Sequence, residues 1–247
     1  MSIIHPWYQL GYIIPHLQTD MDAYQFYNIA PKGVILVTTG LNLQGHSIAA
    51  VEQELPAFWR AIDILKKKKV DRIALSGVPV ASFLGRKRMR EMLAEAEQRS
   101  GISCDTDLEA HIAALHHLGA TRIALATRWH EPTNTALTKY LAEAGIEVVA
   151  LRARGSTLDQ HKLADPAADH HLALELAQVL RDAPTAQAIM MPGGLWHAIH
   201  AVPLIEAEYD KPAILNITAT TWAALHSVGP KLAYKPEPKW GRLLASL

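Results

Sequence analysis

The chain has 247 residues, 49% of them hydrophobic and 19% charged, so it can bury a sizeable core and does not read as a disordered segment. Lysine plus arginine and aspartate plus glutamate each number 24, giving a formal charge of 0; nothing attracts nucleic acid or an anionic membrane in bulk, and a small molecule is the expected partner. One cysteine, Cys104, excludes an intrachain disulfide and a CxxC pair. No run approaches the roughly 18 apolar residues of a membrane span, and residues 1–10 lack a signal-peptide pattern, so a cytoplasmic location is expected.

Short β-branched or aliphatic runs alternate with segments of helical period, the pattern of parallel sheets with crossover helices. In chain order, strands are predicted at Gly11–Pro15, Gly33–Thr38, Arg72–Ser76 and Ile102–Cys104. Between them a helix starts near Ser47 and ends in Lys66–Lys69, where cations complement its dipole, and another opens at Arg86-Lys87-Arg88 after Gly85. The series then restarts at Arg122–Thr127, Ile146–Leu151, Gln187–Met191 and Pro212–Ile217. Ala113-Ala114-Leu115-His116 ahead of Gly119 recurs as Ala223-Ala224-Leu225-His226 ahead of Gly229, which argues for a duplicated unit.

The predicted architecture is therefore α/β with two pseudo-symmetric lobes, each a four-stranded parallel sheet flanked by helices, with the ligand site between them. Residues 1–118 form the first lobe and 119–218 the second, with 219–247 packing back on the first. Loops at the carboxyl ends of the strands should line the cleft, among them Pro15–Thr19, Gly40–Ser47, Gly77–Gly85, Thr127–Asn134, Arg152–His161 and Pro192–His200. Gly77-Val78-Pro79 and Pro192-Gly193-Gly194 end the third strand of each half, where small residues let backbone amides approach a carboxylate. Histidines in these loops, including His16, His46, His130, His161, His197 and His200, titrate near neutrality and could act as acid, base or metal ligand. There is no GxGxxG, P-loop, GxSxG or HExxH motif.

Several segments carry a family resemblance: Leu10–Pro15, Thr39–Leu43, Leu75-Ser76-Gly77 through Gly85, Gly101–Thr106, Leu118–Thr127, Pro192–Leu195 and the closing Gly241-Arg242-Leu243. Together they resemble the arylmalonate decarboxylase and maleate cis-trans isomerase branch of the aspartate/glutamate racemase superfamily. That resemblance implies cofactor-free chemistry with a thiol at the end of strand three in one or both lobes. Here those positions read Gly77 and Pro192, so the resemblance implies that the usual proton donor is missing. The decarboxylase pattern has Thr-Ser where this chain has Val78-Pro79, and a tyrosine where it has Trp129. Hydrophobic pocket positions are matched by His46 and His161, and Cys104 falls at a non-catalytic place on the fourth strand.

The expected activity is a cofactor-independent lyase or isomerase on a small carboxylate- or carbonyl-bearing molecule, with histidine doing the proton transfer. His197 is the first candidate because it follows Pro192-Gly193-Gly194 at a predicted helix start; His46 and His161 come next. Substrate contacts are expected from Gly77, Val78, Thr127, Trp129, Pro192, Gly193, Gly194 and His16, with no metal assigned. Two other classes stay open: a metal-assisted hydrolase or lyase using cleft histidines, and a non-catalytic binding protein on the same scaffold. A homo-oligomer also stays open.

Overall fold

The computed structural model describes residues 5–16, 21–157, 159–160, 165–229 and 237–247. Eight strands form two four-stranded parallel sheets of matching order, β2-β1-β3-β4 and β6-β5-β7-β8. The first contains β1 (Tyr8–Ile14), β2 (Val34–Gly40), β3 (Arg72–Leu75) and β4 (Cys104–Thr106); the second contains β5 (Arg122–Thr127), β6 (Glu147–Ala153), β7 (Ala188–Met191) and β8 (Ala213–Leu215). Central strands are nearly continuous in apolar residues, as expected for strands covered on both faces: Ile123 through Ala126 and Ala188 through Met191 have no exposed surface.

The helices in chain order are α1 (Met21–Ile29), α2 (Ile48–Lys68), α3 (Val78–Leu84), α4 (Arg86–Ser100), α5 (Asp107–His117), α6 (Thr133–Glu143), α7 (Pro166–Ala177), α8 (Val179–Asp182), α9 (Val202–Tyr209), α10 (Asn216–His226) and α11 (Arg242–Ala245). The long α2 starts where Ser47 accepts from the Ala50 N–H and ends where Lys69 turns left-handed at φ 55°, with Lys66, Lys67 and Lys68 in its last turn. Its buried residues Val51, Phe58, Ala61, Ile62 and Leu65 recur at helical spacing and pack on the first sheet. Arg86 does not reach the cleft; it pairs with Glu109 at 2.9 Å.

Strand boundaries depart from the sequence reading where side chains intervene. The last strand stops at Leu215 rather than Ile217, because the Thr218 hydroxyl accepts from the Leu215 N–H and Asn216 already opens α10. The fourth strand runs Cys104–Thr106 rather than Ile102–Cys104, with Asp105 drawn to Arg72 at 2.9 Å.

The lobes meet chiefly through α5 against α10 and α3 against α6, so the two copies of Ala-Ala-Leu-His lie on helices that pack together. The segment 219–247, expected to return to the first lobe, divides in two. Helix α10 does pack on α5 and α1. The closing residues instead fasten to the second lobe, where both Glu206 carboxylate oxygens accept from the Arg242 N–H, and reach the first lobe through His117 and Ser246.

Candidate active site

The strand ends of both lobes face a partly open cavity between them. Its first-lobe wall is built by two segments running side by side, since Leu41 and Leu43 donate their N–H groups to the carbonyls of Ile14 and Pro15. This places His16 next to the 41–47 loop, with its Nδ1 3.1 Å from the Leu43 carbonyl oxygen. The His46 ring stands 6.2 Å from that of His16 and 6.4 Å, edge-on, from Trp129 across the cleft. Two imidazoles and an indole thus share one rim.

The floor on the first-lobe side is Ser76-Gly77-Val78-Pro79. Gly77 adopts φ 105°, and its N–H donates to Asp107 Oδ2 at 2.7 Å. A Cβ at Gly77 would stand 3.1 Å from the Pro15 ring, so both the backbone angle and the space select glycine. Asp107 is fully buried, and burial pushes its carboxyl up to about 7 against the lowering effect of the Gly77 donation.

On the second-lobe side the cavity is lined by Arg128, Trp129, Gly193, Gly194 and Leu195. Arg128 is 4% exposed, and its guanidinium pairs with Asp169 Oδ1 at 3.0 Å and lies 5.4 Å over Trp196. Burial lowers its pKa against the pull of Asp169, which leaves it cationic. Asp22, on the first turn of α1, completes the wall; its Oδ2 accepts from the Tyr12 hydroxyl at 2.7 Å.

Of the residues expected at the site, His16, His46, Gly77, Val78, Trp129, Gly193 and Gly194 line this cavity. Thr127 and Pro192 do not. Thr127 is buried one step behind, where its hydroxyl bonds Asn134, and the Asn134 amide in turn holds the Trp129 carbonyl. His161 lies outside the described residues. His197 is a correction to the expected geometry: its imidazole is not part of the cavity wall, and its backbone N–H is taken by Asp169 Oδ2 at 3.2 Å. The reason is local, because no helix begins after Gly194. The chain turns irregularly to a 3-10 turn at Ile199–Ala201, and Gln25 clamps the loop by donating to the Trp196 carbonyl and accepting from the N–H groups of Ala198 and Ile199.

Sequence reasoning missed Arg128, Asp22 and Ser76. Arg128 carries a signal, a cation just after a strand whose interior, Ile123–Ala126, is apolar, and between two expected site residues, Thr127 and Trp129. Cys104 is buried on β4, its Sγ donating to the Ile102 carbonyl, and burial pushes the thiol up to about 11. It does not line the cavity. Among the described residues no three histidine, cysteine or carboxylate side chains converge to hold a metal ion. No helix among them is long and apolar enough to cross a membrane.

Two lobes around one cleft define a class of structures that includes decarboxylases and isomerases. A doubly substituted arylmalonate decarboxylase in its liganded form superposes with a TM-score of 0.86 at 21% identity, covering 97% of this chain and 100% of the other. A maleate cis-trans isomerase from Nocardia farcinica, carrying a covalently bound succinylcysteine intermediate, superposes with 0.84 at 18% identity over 97% and 99%. The maleate isomerase of Pseudomonas putida with maleate superposes with 0.80 at 21% identity over 96% and 97%. In sequence, arylmalonate decarboxylase of Bordetella bronchiseptica is 25% identical over 180 residues, 72% of this chain and 73% of the relative. The family model described as arylmalonate decarboxylase matches residues 10–241, and the chain belongs to that family.

Proposed function

We propose that the chain is an enzyme of decarboxylase or isomerase type that acts on a small carboxylate in the interlobe cleft and moves the proton at carbon with the imidazole of His46. The observation that carries this reading is the placement of His46 in the cavity wall between His16 and Trp129, while the one cysteine of the chain lies elsewhere. A related isomerase engages its substrate covalently through a cysteine; here the cavity offers imidazoles instead.

The chemistry follows from what surrounds the ring. Loss of carbon dioxide, or removal of a proton beside a carboxylate, leaves negative charge on carbon and on the carboxylate oxygens. The buried Arg128 cation supplies a fixed positive charge for those oxygens. The backbone at Gly193 and Gly194 supports it, since among the described residues neither N–H enters a backbone hydrogen bond. Imidazole then delivers or removes the proton near neutral pH without first forming a thiolate.

The test is a panel of small carboxylates incubated in deuterated buffer, with deuterium entry at carbon and product formation followed by NMR. On whichever substrate turns over, His46→Ala and His46→Gln should each cut turnover about 10²-fold to 10⁴-fold with the melting temperature preserved. The limb of the pH–rate profile belonging to the imidazole should vanish with them. Full activity in both variants would remove His46 from the mechanism, and no turnover of any acid in the panel would leave the binding-protein reading standing instead.

A further inference from the structure

A second cluster of imidazoles lies away from the cleft. Helices α5 and α10 pack on each other and each ends on a histidine, His117 for α5 and His226 for α10. Both are exposed, and neither lines the cavity. Their ring centres stand 5.4 Å apart. The buried Trp222 indole supports both, stacked on His226 at 4.6 Å and tilted against His117 at 4.9 Å. The end of the chain fixes the tautomer of His117. The Ser246 hydroxyl donates its one proton to the Leu243 carbonyl at 2.6 Å, so at 3.0 Å it accepts from the His117 Nε2–H. In the neutral ring the lone pair of His117 then sits at Nδ1. Among the described residues neither that Nδ1 nor either ring nitrogen of His226 has a hydrogen-bond partner.

Two imidazoles that share one metal ion through nitrogens about 2.0–2.1 Å from it have ring centres about 5 Å apart, close to the separation observed between His117 and His226. A ligating histidine is oriented by anchoring its other ring N–H, and Ser246 does this for His117. The electrostatics point the same way. Both histidines occupy the last turn of their helices, so two C-terminal ends with partial negative charge meet here and favour a cation. Imidazole nitrogen suits zinc, nickel and copper, whereas magnesium and calcium take oxygen ligands. We infer that His117 Nδ1 and His226 form a two-imidazole site for a divalent transition-metal ion, with water completing its coordination, and that the bound ion ties α5 to α10. The site stands apart from the cleft and does not rest on the reaction proposed there.

The experiment is calorimetric titration of the full chain with zinc chloride at neutral pH, with magnesium chloride as the control, and nitrogen NMR of labelled histidines along the titration. The natural chain should bind zinc and not magnesium, and zinc should shift His226 and the Nδ1 of His117 while His117 Nε2 keeps its proton. His226→Asn and His117→Ala should each remove one zinc ion from the stoichiometry. Both side chains are exposed at helix ends, so the metal-free melting temperatures should stay at that of the natural chain. Zinc should raise the melting temperature of the natural chain more than that of either variant, because an ion held only by the folded state stabilises it. Ser246→Ala, which releases the Nε2–H, should weaken binding about tenfold. Should His117→Ala lose its fold along with the Ser246 contact, His226→Asn, which leaves that contact in place, decides the matter. No zinc binding by the natural chain, the same stoichiometry and affinity in His226→Asn, or a zinc response confined to other histidines would overturn the inference.

Discussion

The two lobes repeat one sheet order, yet the ends of their third strands are built differently. In the first lobe β3 passes through Gly77 straight into α3, and the turn is fixed from within the lobe by the Asp107 carboxyl. In the second lobe β7 runs into Pro192-Gly193-Gly194-Leu195 with only the 3-10 turn at Ile199–Ala201 before α9, and the intervening loop is held by Gln25, which comes from the first lobe. Asn216 stands at the start of α10 as Asp107 stands at the start of α5, but it holds no strand-end turn of its own lobe; its side chain faces Asp107 and helps to lower that carboxyl's pKa against burial. Proline offers no N–H where a glycine could have donated one. The comparison teaches that duplication copied the sheets, while the cavity is assembled from an internally fastened floor and one fastened across the interface.

The difference can be broken most forcefully in the second lobe. Arg128→Leu should destabilise the fold by about 3–5 kcal/mol, since it leaves Asp169 buried without its cation. Pairing it with Asp169→Leu should recover much of that loss while abolishing carboxylate binding. Denaturant midpoints of the single and double variants check this; additive losses would mean the pair is not a unit.

In the first lobe the effect is one of pH. The folded-state pKa of Asp107 is raised to about 7, above the ordinary carboxyl value of 3.8, so between these values the folded chain holds a proton that the unfolded chain has released. Its stability contribution is complete below the unfolded value and is lost as pH rises through 7. Asp107→Asn should remove that slope, a change of roughly 3–4 kcal/mol across the window. Melting curves between pH 4 and 8 would show it, and a variant with the same slope as the natural chain would place the titration elsewhere.

The smallest effect is expected on β4, away from the cavity. Cys104→Ala should cost at most about 1 kcal/mol and leave turnover unchanged, because the thiol is buried among first-lobe residues and held far from its reactive form. Thiol-reagent sensitivity of the reaction, or a large loss of turnover with the fold intact, would bring the cysteine back into the mechanism.

Read by itself, the sequence determined the alternation of strands and helices, the doubling of the unit and the loops that enclose the cleft. Those features are written in local apolar periodicity and in glycine and proline at strand ends, which depend on near neighbours. Gly77, Trp129, Gly193 and Gly194, expected at the cleft from their places after strand ends, line the cavity, because a position at a strand's carboxyl end inherits its direction from the strand.

Which charged groups enter the cavity was decided only by tertiary contacts. His197 and His46 looked alike as loop histidines, but Gln25 and Asp169 hold the 196–199 backbone so that His197 stands outside the wall, while the pairing of residues 41–43 with 14–15 carries His46 in. Arg128 and Asp22 became legible for the same reason: each is buried and oriented by a partner 41 and 10 residues away in the chain, Asp169 and Tyr12. Periodicity sees distances of a few residues, whereas the direction of a loop side chain is set by what the whole fold places against it.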